Sequence, residues 1–522
     1  MTERLSRALI AGNARAEISG LAYDSRHAGP GIAFVALRGT KVDGHDYIER
    51  AIESGASAIV AETAPPDNCE VPWVHVPDTR VALAAMAAAL CGYPADELSL
   101  CGVTGTNGKS TIAYLVHYLL NQGQVRCGLL GTMFYDLGGK VVPATHTTPQ
   151  SLEIQQHLAT MVGNGCRALS MEVSSHALDQ RRVYGLSFRA AVFTNLTQDH
   201  LDYHSTMDRY FEAKTKLFED TAAGEKGKMI INGDDLYGRK LHQRFESTGR
   251  VIRYGMAVQN ELRAVNVRYD ASGTQFELEA KGRLFLVKTP LIGAFNVYNT
   301  LAALAAADAM GLNFRESIQH MKTAPQVPGR LERVLEEARF SVFVDYAHTP
   351  DALINVLQSV RGLKPRRIIT VFGCGGDRDR TKRPLMARAA EDGSDVCVLT
   401  SDNPRSEDPQ AIIADARKGF VGKSFVEIAD RREAIRTAIE NAREGDVIVL
   451  AGKGHEDYQE IQGIKHPFDD RKVAAGFMRN LRDIRGQERL EKIRERELRE
   501  QQMKEWERQN MDAGWGGEDG PP

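Results

Sequence analysis

A short glycine-rich segment constrains the fold of this chain more than any other feature of its sequence. Residues 102–111 read Gly-Val-Thr-Gly-Thr-Asn-Gly-Lys-Ser-Thr, between an apolar run at 98–103 and a helical pattern at 110–121. Glycines let a backbone wrap closely around a phosphate, and the helix that follows directs the positive end of its dipole at the same point. A strand, a loop and a helix in this order predict a nucleotide phosphate site in an α/β layer.

The residues that close this segment fit phosphate chemistry. Lys109 can neutralise the outer phosphates, and the hydroxyl of Ser110 can ligate Mg²⁺. The general phosphate-loop formula has a glycine where this chain has Val103, so the segment is a narrower variant. A glycine turn with an incidental lysine is disfavoured, because all the parts occur in the expected order. The predicted nucleotide-binding residues are Gly105, Thr106, Asn107, Gly108, Lys109, Ser110 and Thr111.

Length and composition limit the remaining possibilities. A chain of 522 residues is expected to form about three domains. The net charge of −3 gives no electrostatic reason to expect nucleic acid or a membrane surface as a partner. The seven cysteines form no CxxC pair, the N-terminus lacks the pattern of a signal peptide, and the most apolar stretch (81–91) is too short to span a bilayer. We expect a cytoplasmic protein with reduced thiols and no membrane insertion.

The alternation of apolar runs and helical patterns predicts an α/β fold in three domains. We expect a small N-terminal α/β domain at 1–97, a central ATP-binding domain with a mainly parallel sheet at 98–329, and a C-terminal Rossmann-like domain at 330–485. Residues 486–522 are dense in charged residues and keep no clean heptad pattern. For this tail, a solvated helix ending in a disordered Gly/Pro segment is favoured over a partner-binding helix.

Further motifs along the chain carry a family resemblance. They are Asp24-Ser25-Arg26, Thr147-Thr148-Pro149, residues 172–176 (EVSSH), 195–204 (NLTQDHLDYH), 212–214 (EAK), 296–299 (NVYN), 328–332 (PGRLE), 345–350 (DYAHTP), 402–405 (DNPR) and 452–456 (GKGHE). With the glycine-rich loop, they resemble the Mur ligases, whose relatives include folylpolyglutamate synthetase. The resemblance covers residues 21–480, and within the family it is to the enzymes that add the third amino acid.

The resemblance implies a two-step reaction with three small-molecule substrates. The D-glutamate carboxylate of UDP-MurNAc-L-Ala-D-Glu would attack the γ-phosphate of ATP, giving an acyl phosphate. The amine of meso-diaminopimelate would then displace phosphate and form an amide bond. The resemblance also implies Mg²⁺ as cofactor and a monomeric protein in cytoplasmic peptidoglycan precursor synthesis.

Catalytic and metal-binding roles follow from the same resemblance. It implies catalytic roles for Lys109, Lys214, Glu172 and, more weakly, His200, and metal contacts at Ser110, Glu172 and a carbamylated Lys214. The residues alone leave plainer interpretations open. Lys214 reads as a helix-surface lysine, and Glu172 reads as a strand-end acid followed by a polar helix cap.

The resemblance assigns the remaining contacts by position. The UDP-sugar end would be bound by Tyr23, Ser25, Thr40, Lys41 and Val42. The muramoyl-dipeptide would be bound by Thr147, Thr148, Ser174, Gln180 and Arg182. Adenine and ribose would be bound by Asn296, Asn299, Arg330, Asp345 and Tyr346. The incoming amino acid would be bound by Arg378, Asp402, Asn403, Pro404, Arg405, Gly452 and Glu456.

The loop at 402–405 is expected to determine which amino acid the enzyme adds. It follows a predicted strand, at the sheet edge where ligands of open α/β sheets bind. In the family this motif accompanies meso-diaminopimelate, because Arg405 can pair with its distal carboxylate while Glu456 suits its distal ammonium. A common turn with a solvated arginine is the alternative. Alternatives for the whole chain are a ligase of another step and a non-catalytic relative that serves as an assembly module.

Overall fold

The computed structural model describes residues 8–39, 42–67, 69–334, 339–422 and 425–513. These residues form two compact units, one within 1–332 and 349–364, the other within 333–348 and 365–522. The first unit holds a five-stranded and an eleven-stranded sheet, and the second holds a six-stranded sheet and a two-stranded hairpin.

The first sheet is small and almost entirely parallel. Four parallel strands follow the order β5-β4-β3-β2, and β1 pairs with β5 in the antiparallel sense. The alanine-rich helix α2 begins at an N-cap, Asp78, and packs its buried face on this sheet. The elements are β1 (Leu9–Ala11), β2 (Gly20–Ala22), β3 (Ile32–Val35), α1 (Ile48–Glu53), β4 (Ala58–Ala61), β5 (Trp73–His75) and α2 (Thr79–Leu90).

The large sheet has a parallel centre with antiparallel strands on both sides. Its order is β16-β15-β14-β13-β12-β11-β6-β10-β7-β8-β9, and neighbours from β14 to β7 are parallel. Parallel strands covered by helices on both faces are mainly apolar, as in β6, β10 and β11. The strands are β6 (Ser99–Thr104), β7 (Cys127–Leu130), β8 (Phe134–Asp136), β9 (Val141–Pro143), β10 (Ala168–Glu172), β11 (Phe188–Phe193), β12 (Lys228–Asn232), β13 (Val251–Gly255), β14 (Leu262–Asp270), β15 (Gly273–Ala280) and β16 (Arg283–Thr289).

Helices cover both faces of this sheet. Helix α9 is buried along most of its length because it consists mainly of alanine and leucine, and it packs against α3. The helices are α3 (Lys109–Gln122), α4 (Ser151–Gly163), α5 (Ser175–Asp179), α6 (Leu201–His204), α7 (Met207–Ala223), α8 (Leu236–Phe245), α9 (Ala294–Ala309) and α10 (Phe314–His320). Helix α11 (Pro350–Gly362) also belongs to the first compact unit.

The second unit is built on a sheet of order β17-β18-β22-β19-β20-β21, parallel from β18 to β21. Its elements are β17 (Glu332–Val334), β18 (Ser341–Asp345), β19 (Ile368–Phe372), α12 (Lys382–Gly393), β20 (Val396–Leu399), α13 (Pro409–Arg417), β21 (Phe425–Glu427), α14 (Arg431–Glu440), β22 (Val447–Ala451), the hairpin β23 (Tyr458–Ile461) and β24 (Ile464–Pro467), and α15 (Asp470–Ala513).

The C-terminal tail is helical as far as the structure describes it. Helix α15 continues to Ala513, and its side chains at 494–504 are exposed. The predicted disordered Gly/Pro segment at 514–522 lies outside the described residues. Within the part of the chain that is described, no helix is both long enough and apolar enough to cross a bilayer. All seven cysteines are free thiols.

A buried ion pair joins α14 to α15. Arg431 and Asp470 are both 0% exposed, and two guanidinium nitrogens donate to the carboxylate at 2.6 and 2.8 Å. Replacing Arg431 by methionine leaves Asp470 buried without its partner, so we expect the second unit to lose about 3–5 kcal/mol of folding free energy. Urea unfolding followed by circular dichroism measures this loss. The double variant Arg431→Met/Asp470→Leu should recover most of it, and a single variant as stable as the unmodified protein would contradict the prediction.

Candidate active site

The glycine-rich loop connects β6 to α3 at the carboxyl edge of the large sheet, and two of its glycines cannot be replaced without a clash. Gly105 has a φ of 146°, and a Cβ there would lie 1.8 Å from Oγ1 of Thr194. Gly108 has a φ of 88°, and a Cβ would lie 2.6 Å from Oδ1 of Asn299. Both positions combine a backbone conformation that favours glycine with a close neighbour.

The segment that follows β11 holds the loop in place. The backbone N–H of Thr106 donates to the carbonyl of Asn195 at 2.9 Å, and the N–H of Asn107 donates to the Asn195 side chain at 3.0 Å. The hydroxyl of Thr194 donates to the carbonyl of Asn107 at 2.6 Å. These bonds fix the loop before any nucleotide binds, which lowers the ordering cost of phosphate binding.

Two lysines from distant parts of the chain meet on one backbone carbonyl. Nζ of Lys109 donates to the carbonyl oxygens of Gly105 and Thr106 at 3.0 and 2.8 Å. Nζ of Lys214, on α7, donates to the same Gly105 oxygen at 2.9 Å and lies 4.6 Å from the ring centroid of Tyr210. Lys214 is 1% exposed, so the prediction of a helix-surface lysine from the local pattern is wrong.

This arrangement favours the uncharged form of Lys214. Burial lowers its pKa well below the ordinary value, and the neighbouring cation of Lys109 lowers it further, against the opposing effect of Asp199. Burial also lowers the pKa of Lys109, while Glu172 and Asp199 act in the opposite direction. Reaction with CO₂ requires an uncharged amine, because only this form of the side chain is a nucleophile.

Glu172 lies at the end of β10 and connects the loop to the neighbouring strand β7. Its carboxylate is 1% exposed and accepts hydrogen bonds from the Ser110 hydroxyl at 2.9 Å and from the N–H of Thr132 at 2.7 Å. Gly131 makes this approach possible, because a Cβ there would lie 2.6 Å from the Glu172 carboxylate. Neither Gly131 nor Thr132 carried a signal in the sequence.

The oxygens of Ser110 and Glu172 suit a hard cation such as Mg²⁺. This ion commonly takes one or two carboxylates from the protein and completes its shell with water and substrate phosphates. Among the described residues, no group of three or more His, Cys, Asp or Glu side chains could hold a metal by itself. Lys214 becomes a ligand of this kind only as a carbamate, which carries a carboxylate-like oxygen pair.

Three of the residues expected around adenine and ribose lie close to the loop. Asn299 faces Gly108 and donates to the Asn296 side chain at 2.9 Å, at the start of α9. Arg330 donates to the Ser110 hydroxyl at 2.8 Å, so its guanidinium lies beside the predicted metal position. Asp345 and Tyr346 lie at the end of β18 in the second unit.

The residues expected around the muramoyl-dipeptide form one hydrogen-bonded cluster. Thr148 donates to the Glu172 carbonyl at 2.8 Å and accepts from the N–H of Ser174 at 3.1 Å. The Arg182 guanidinium donates to the Thr148 carbonyl at 2.8 Å and to the Gln180 side chain at 2.8 Å. Thr147 accepts from the Thr132 hydroxyl at 3.1 Å, so the cluster is continuous with Glu172.

The remaining candidates of the first unit make other contacts. Tyr23 donates to the Glu153 carboxylate at 2.6 Å, while Ser25 is buried and Val42 is exposed. Thr40 and Lys41 lie outside the described residues. His200 has a φ of 54° and contacts Asp199 at 3.3 Å, and burial lowers its pKa, which favours the neutral imidazole.

The candidates for amino-acid binding converge in the second unit. Asp402, Asn403 and Pro404 are buried at the end of β20, and Arg405 follows with a φ of 52°. The Asn403 amide donates to the Glu456 carboxylate at 2.8 Å, and Gly452 lies so close to Asp402 that a Cβ would be 2.4 Å from its carboxylate.

The hairpin β23–β24 supports the Arg405 end of this loop. The backbone N–H of Arg405 donates to the Glu460 carbonyl at 3.0 Å, and Nη1 donates to the Gly376 carbonyl at 2.8 Å. Nε lies 3.6 Å from the Glu460 carboxylate. Arg378 is exposed nearby, and Gly375 lies against both arginines. Two guanidinium groups at one sheet edge suit a carboxylate ligand.

The chain is similar to known proteins along most of its length. Three family descriptions match the chain: Mur ligase family, catalytic domain at 17–90, Mur ligase middle domain at 103–307, and Mur ligase, glutamate ligase domain at 329–454. The chain belongs to the Mur ligase family. The predicted fold class is confirmed: the chain has a small N-terminal, a central and a C-terminal domain, all of the α/β type. The exact domain borders stay a prediction.

Individual relatives are similar to this chain over most of its length. A protein of Solibacter usitatus named UDP-N-acetylmuramoyl-L-alanyl-D-glutamate--2,6-diaminopimelate ligase is 46% identical over 91% of this chain and 96% of its own length. A protein of the same name from Aquifex aeolicus is 45% identical over 88% of this chain and 94% of its own length. A solved structure of a ligase of this name has a TM-score of 0.64 at 36% identity and covers 89% of this chain and 95% of its own.

Proposed function

We propose that this chain adds meso-diaminopimelate to UDP-MurNAc-L-Ala-D-Glu with consumption of ATP, in cytoplasmic peptidoglycan precursor synthesis. The observation that carries the proposal is the match to relatives with this named activity over about nine-tenths of the chain. The two sites support it. One has paired lysines beside a carboxylate at a phosphate loop, and the other has acid, amide and guanidinium groups suited to an amino acid with a second charged end.

In the first step a carboxylate attacks the γ-phosphate of ATP, and the repulsion between two anions has to be overcome. We assign ATP to the loop 105–111, where Lys109 neutralises the outer phosphates and the α3 N-terminus faces them. We assign the dipeptide to Thr147, Thr148, Ser174, Gln180 and Arg182, with Arg182 pairing with an anionic group of the substrate. The carboxylate then displaces ADP and becomes an acyl phosphate.

Mg²⁺ would be held by Ser110, Glu172 and the carbamate of Lys214, and it supplies positive charge to the phosphate oxygens. The low pKa and burial of Lys214 support carbamylation, because only the uncharged amine adds to CO₂. The product is an anion beside the cation of Lys109, so the two side chains attract each other, whereas a protonated Lys214 would be repelled. His200 stays a weaker candidate for this site. Asn296, Asn299, Arg330, Asp345 and Tyr346 are proposed as contacts of adenine and ribose.

In the second step the amine of diaminopimelate attacks the acyl phosphate carbonyl. A tetrahedral intermediate forms and expels inorganic phosphate, leaving an amide bond and a proton released from the amine. We propose that Arg405 and Arg378 bind the distal carboxylate and that Glu456 binds the distal ammonium, while Asp402, Asn403, Pro404 and Gly452 shape the pocket. Tyr23, Ser25, Thr40, Lys41 and Val42 are proposed for the UDP-sugar end, and the active form is proposed to be a monomer.

The deciding experiment compares two amino acids as acceptors. Phosphate release from ATP with UDP-MurNAc-L-Ala-D-Glu should depend on meso-diaminopimelate and be far slower with L-lysine. In Arg405→Ala the KM for diaminopimelate should rise about tenfold to hundredfold, because a charge-assisted carboxylate contact is lost. Arg417→Ala, an exposed arginine that pairs with Glu427, is the control and should leave the KM unchanged. A preference for lysine would contradict the role of 402–405, and no turnover with either would favour the non-catalytic alternative.

A further inference from the structure

Lys453 lies among the candidate residues of the amino-acid site, but its side chain is buried in the protein interior. Its side chain is 0% exposed, at the end of β22. Nζ donates to Oδ1 of Asn403 at 3.0 Å and to Oε2 of Glu456 at 3.3 Å, and it lies 3.9 Å from Oδ1 of Asp402. A buried ammonium is costly unless it is paired, so its three partners are held around it.

The lysine determines which way the Asn403 amide points. An ammonium only donates, so the group it contacts on Asn403 has to be the oxygen. The same oxygen accepts from the N–H of Glu460 at 3.0 Å. The amide nitrogen is therefore directed to Oε2 of Glu456 at 2.8 Å. Three hydrogen bonds fix this orientation, and without Lys453 one of them is lost.

The lysine also determines how Glu456 presents its charge. Lys453 and Asn403 both contact Oε2, and within the described residues no hydrogen bond reaches Oε1. The two carboxylates of Asp402 and Glu456, set against one ammonium, leave one net negative charge. Burial and the nearby Asp402 raise the pKa of Glu456, while Lys453 opposes that rise and favours the carboxylate form. The three groups together carry one negative charge, and Oε1 of Glu456 can accept a hydrogen bond. This arrangement suits the binding of one ammonium group of a ligand.

We propose that Lys453 is a positioning residue that orients Asn403 and Glu456 to bind the distal ammonium of the acceptor amino acid. This inference rests on the proposed function and adds a determinant of acceptor affinity that lies behind the pocket. We expect Lys453 to affect the acceptor much more than the other two substrates, since its side-chain hydrogen bonds and ion pairs are with Asn403, Glu456 and Asp402 of the acceptor site.

The test is a set of Michaelis constants for the three substrates in Lys453→Met, which removes the charge and the donors at similar length. The KM for diaminopimelate should rise about tenfold or more, the range expected for losing hydrogen bonds to charged groups. The KM values for ATP and for UDP-MurNAc-L-Ala-D-Glu should stay within about twofold. Lys465→Met is the matched control: Lys465 is exposed on β24 and lies 4.1 Å from the same Tyr458 ring that Lys453 approaches at 5.6 Å.

A second variant keeps the proposal testable if two uncompensated acids prevent Lys453→Met from folding. Lys453→Met/Asp402→Asn removes one charge of each sign and keeps one net negative charge. It is compared with Asp402→Asn alone. If Lys453 positions Asn403 and Glu456, the double variant should still have a KM for diaminopimelate about tenfold above that of Asp402→Asn.

Two outcomes would overturn the inference. One is a KM for diaminopimelate within twofold of that of the reference variant. The other is an equal rise in the KM for ATP, which would indicate a general loss of structure. Failure of the proposed function is recognised separately, because the unmodified enzyme would then show no diaminopimelate-dependent phosphate release.

Discussion

Lys109→Ala is expected to lower diaminopimelate-dependent phosphate release about 10²- to 10³-fold, the cost of removing a charged group aimed at developing charge. Lys109 is the cation of the phosphate loop, and its Nζ is held on the carbonyls of Gly105 and Thr106, within reach of a phosphate placed in the loop. Alanine leaves the loop backbone intact, because the segment 194–197 still holds it. Weaker ATP binding, measured by calorimetry, should accompany the loss of turnover.

Lys140→Ala is the control for this prediction. Lys140 is exposed in the turn between β8 and β9, and its replacement should leave both measurements unchanged. Turnover within tenfold of the unmodified enzyme in Lys109→Ala would contradict the assignment of ATP to this loop.

Lys214→Ala is expected to lower turnover by a similar factor, about 10²-fold or more, for a different reason. It removes the proposed carbamate ligand and leaves a small space beside the Gly105 carbonyl. The carbamate can be observed directly: with ¹³C-labelled bicarbonate, the unmodified protein should show a carbamate carbon resonance, and Lys214→Ala should not. Lys109→Ala should weaken the same resonance, because losing that cation raises the pKa of Lys214 and lowers the fraction of uncharged amine.

Lys216→Ala provides the matched control on the same helix. Lys216 is two residues away, exposed in part, and pairs with Asp179 at 2.9 Å. Its replacement should leave turnover and the resonance in place. A resonance that persists in Lys214→Ala would assign the carbamate elsewhere, and full activity in that variant would contradict its role as a ligand.

The sequence predicted the parallel part of the fold well. The apolar run at 98–103 corresponds to β6, and the helical pattern at 110–121 corresponds to α3. These elements are recognisable because parallel strands buried on both faces need uninterrupted apolar residues. The apolar stretch at 81–91, which is too short to span a bilayer, lies mostly in the largely buried helix α2.

The antiparallel parts were missed. The meander β14–β16 was read as further alternation of strands and helices, although the structure has three strands joined by tight turns. The burial of β14 and β15 alternates residue by residue, so their apolar content is too low to be recognised as a buried run. The hairpin β23–β24 was missed for the same reason, since most of its residues are polar or exposed.

By itself, the sequence predicted the residue types of the two proposed sites: a glycine loop with Lys109 and Ser110, an acid at the end of β10, and the loop at 402–405 followed by Glu456. Local pattern determines these features because backbone conformation and side-chain charge are properties of short segments. Only the tertiary structure decided that Lys214 is buried on the same carbonyl as Lys109, and that Lys453 contacts Asn403 and Glu456. Burial and the proximity of like charges depend on packing between segments far apart in the chain, and these two factors shift a pKa or orient an amide.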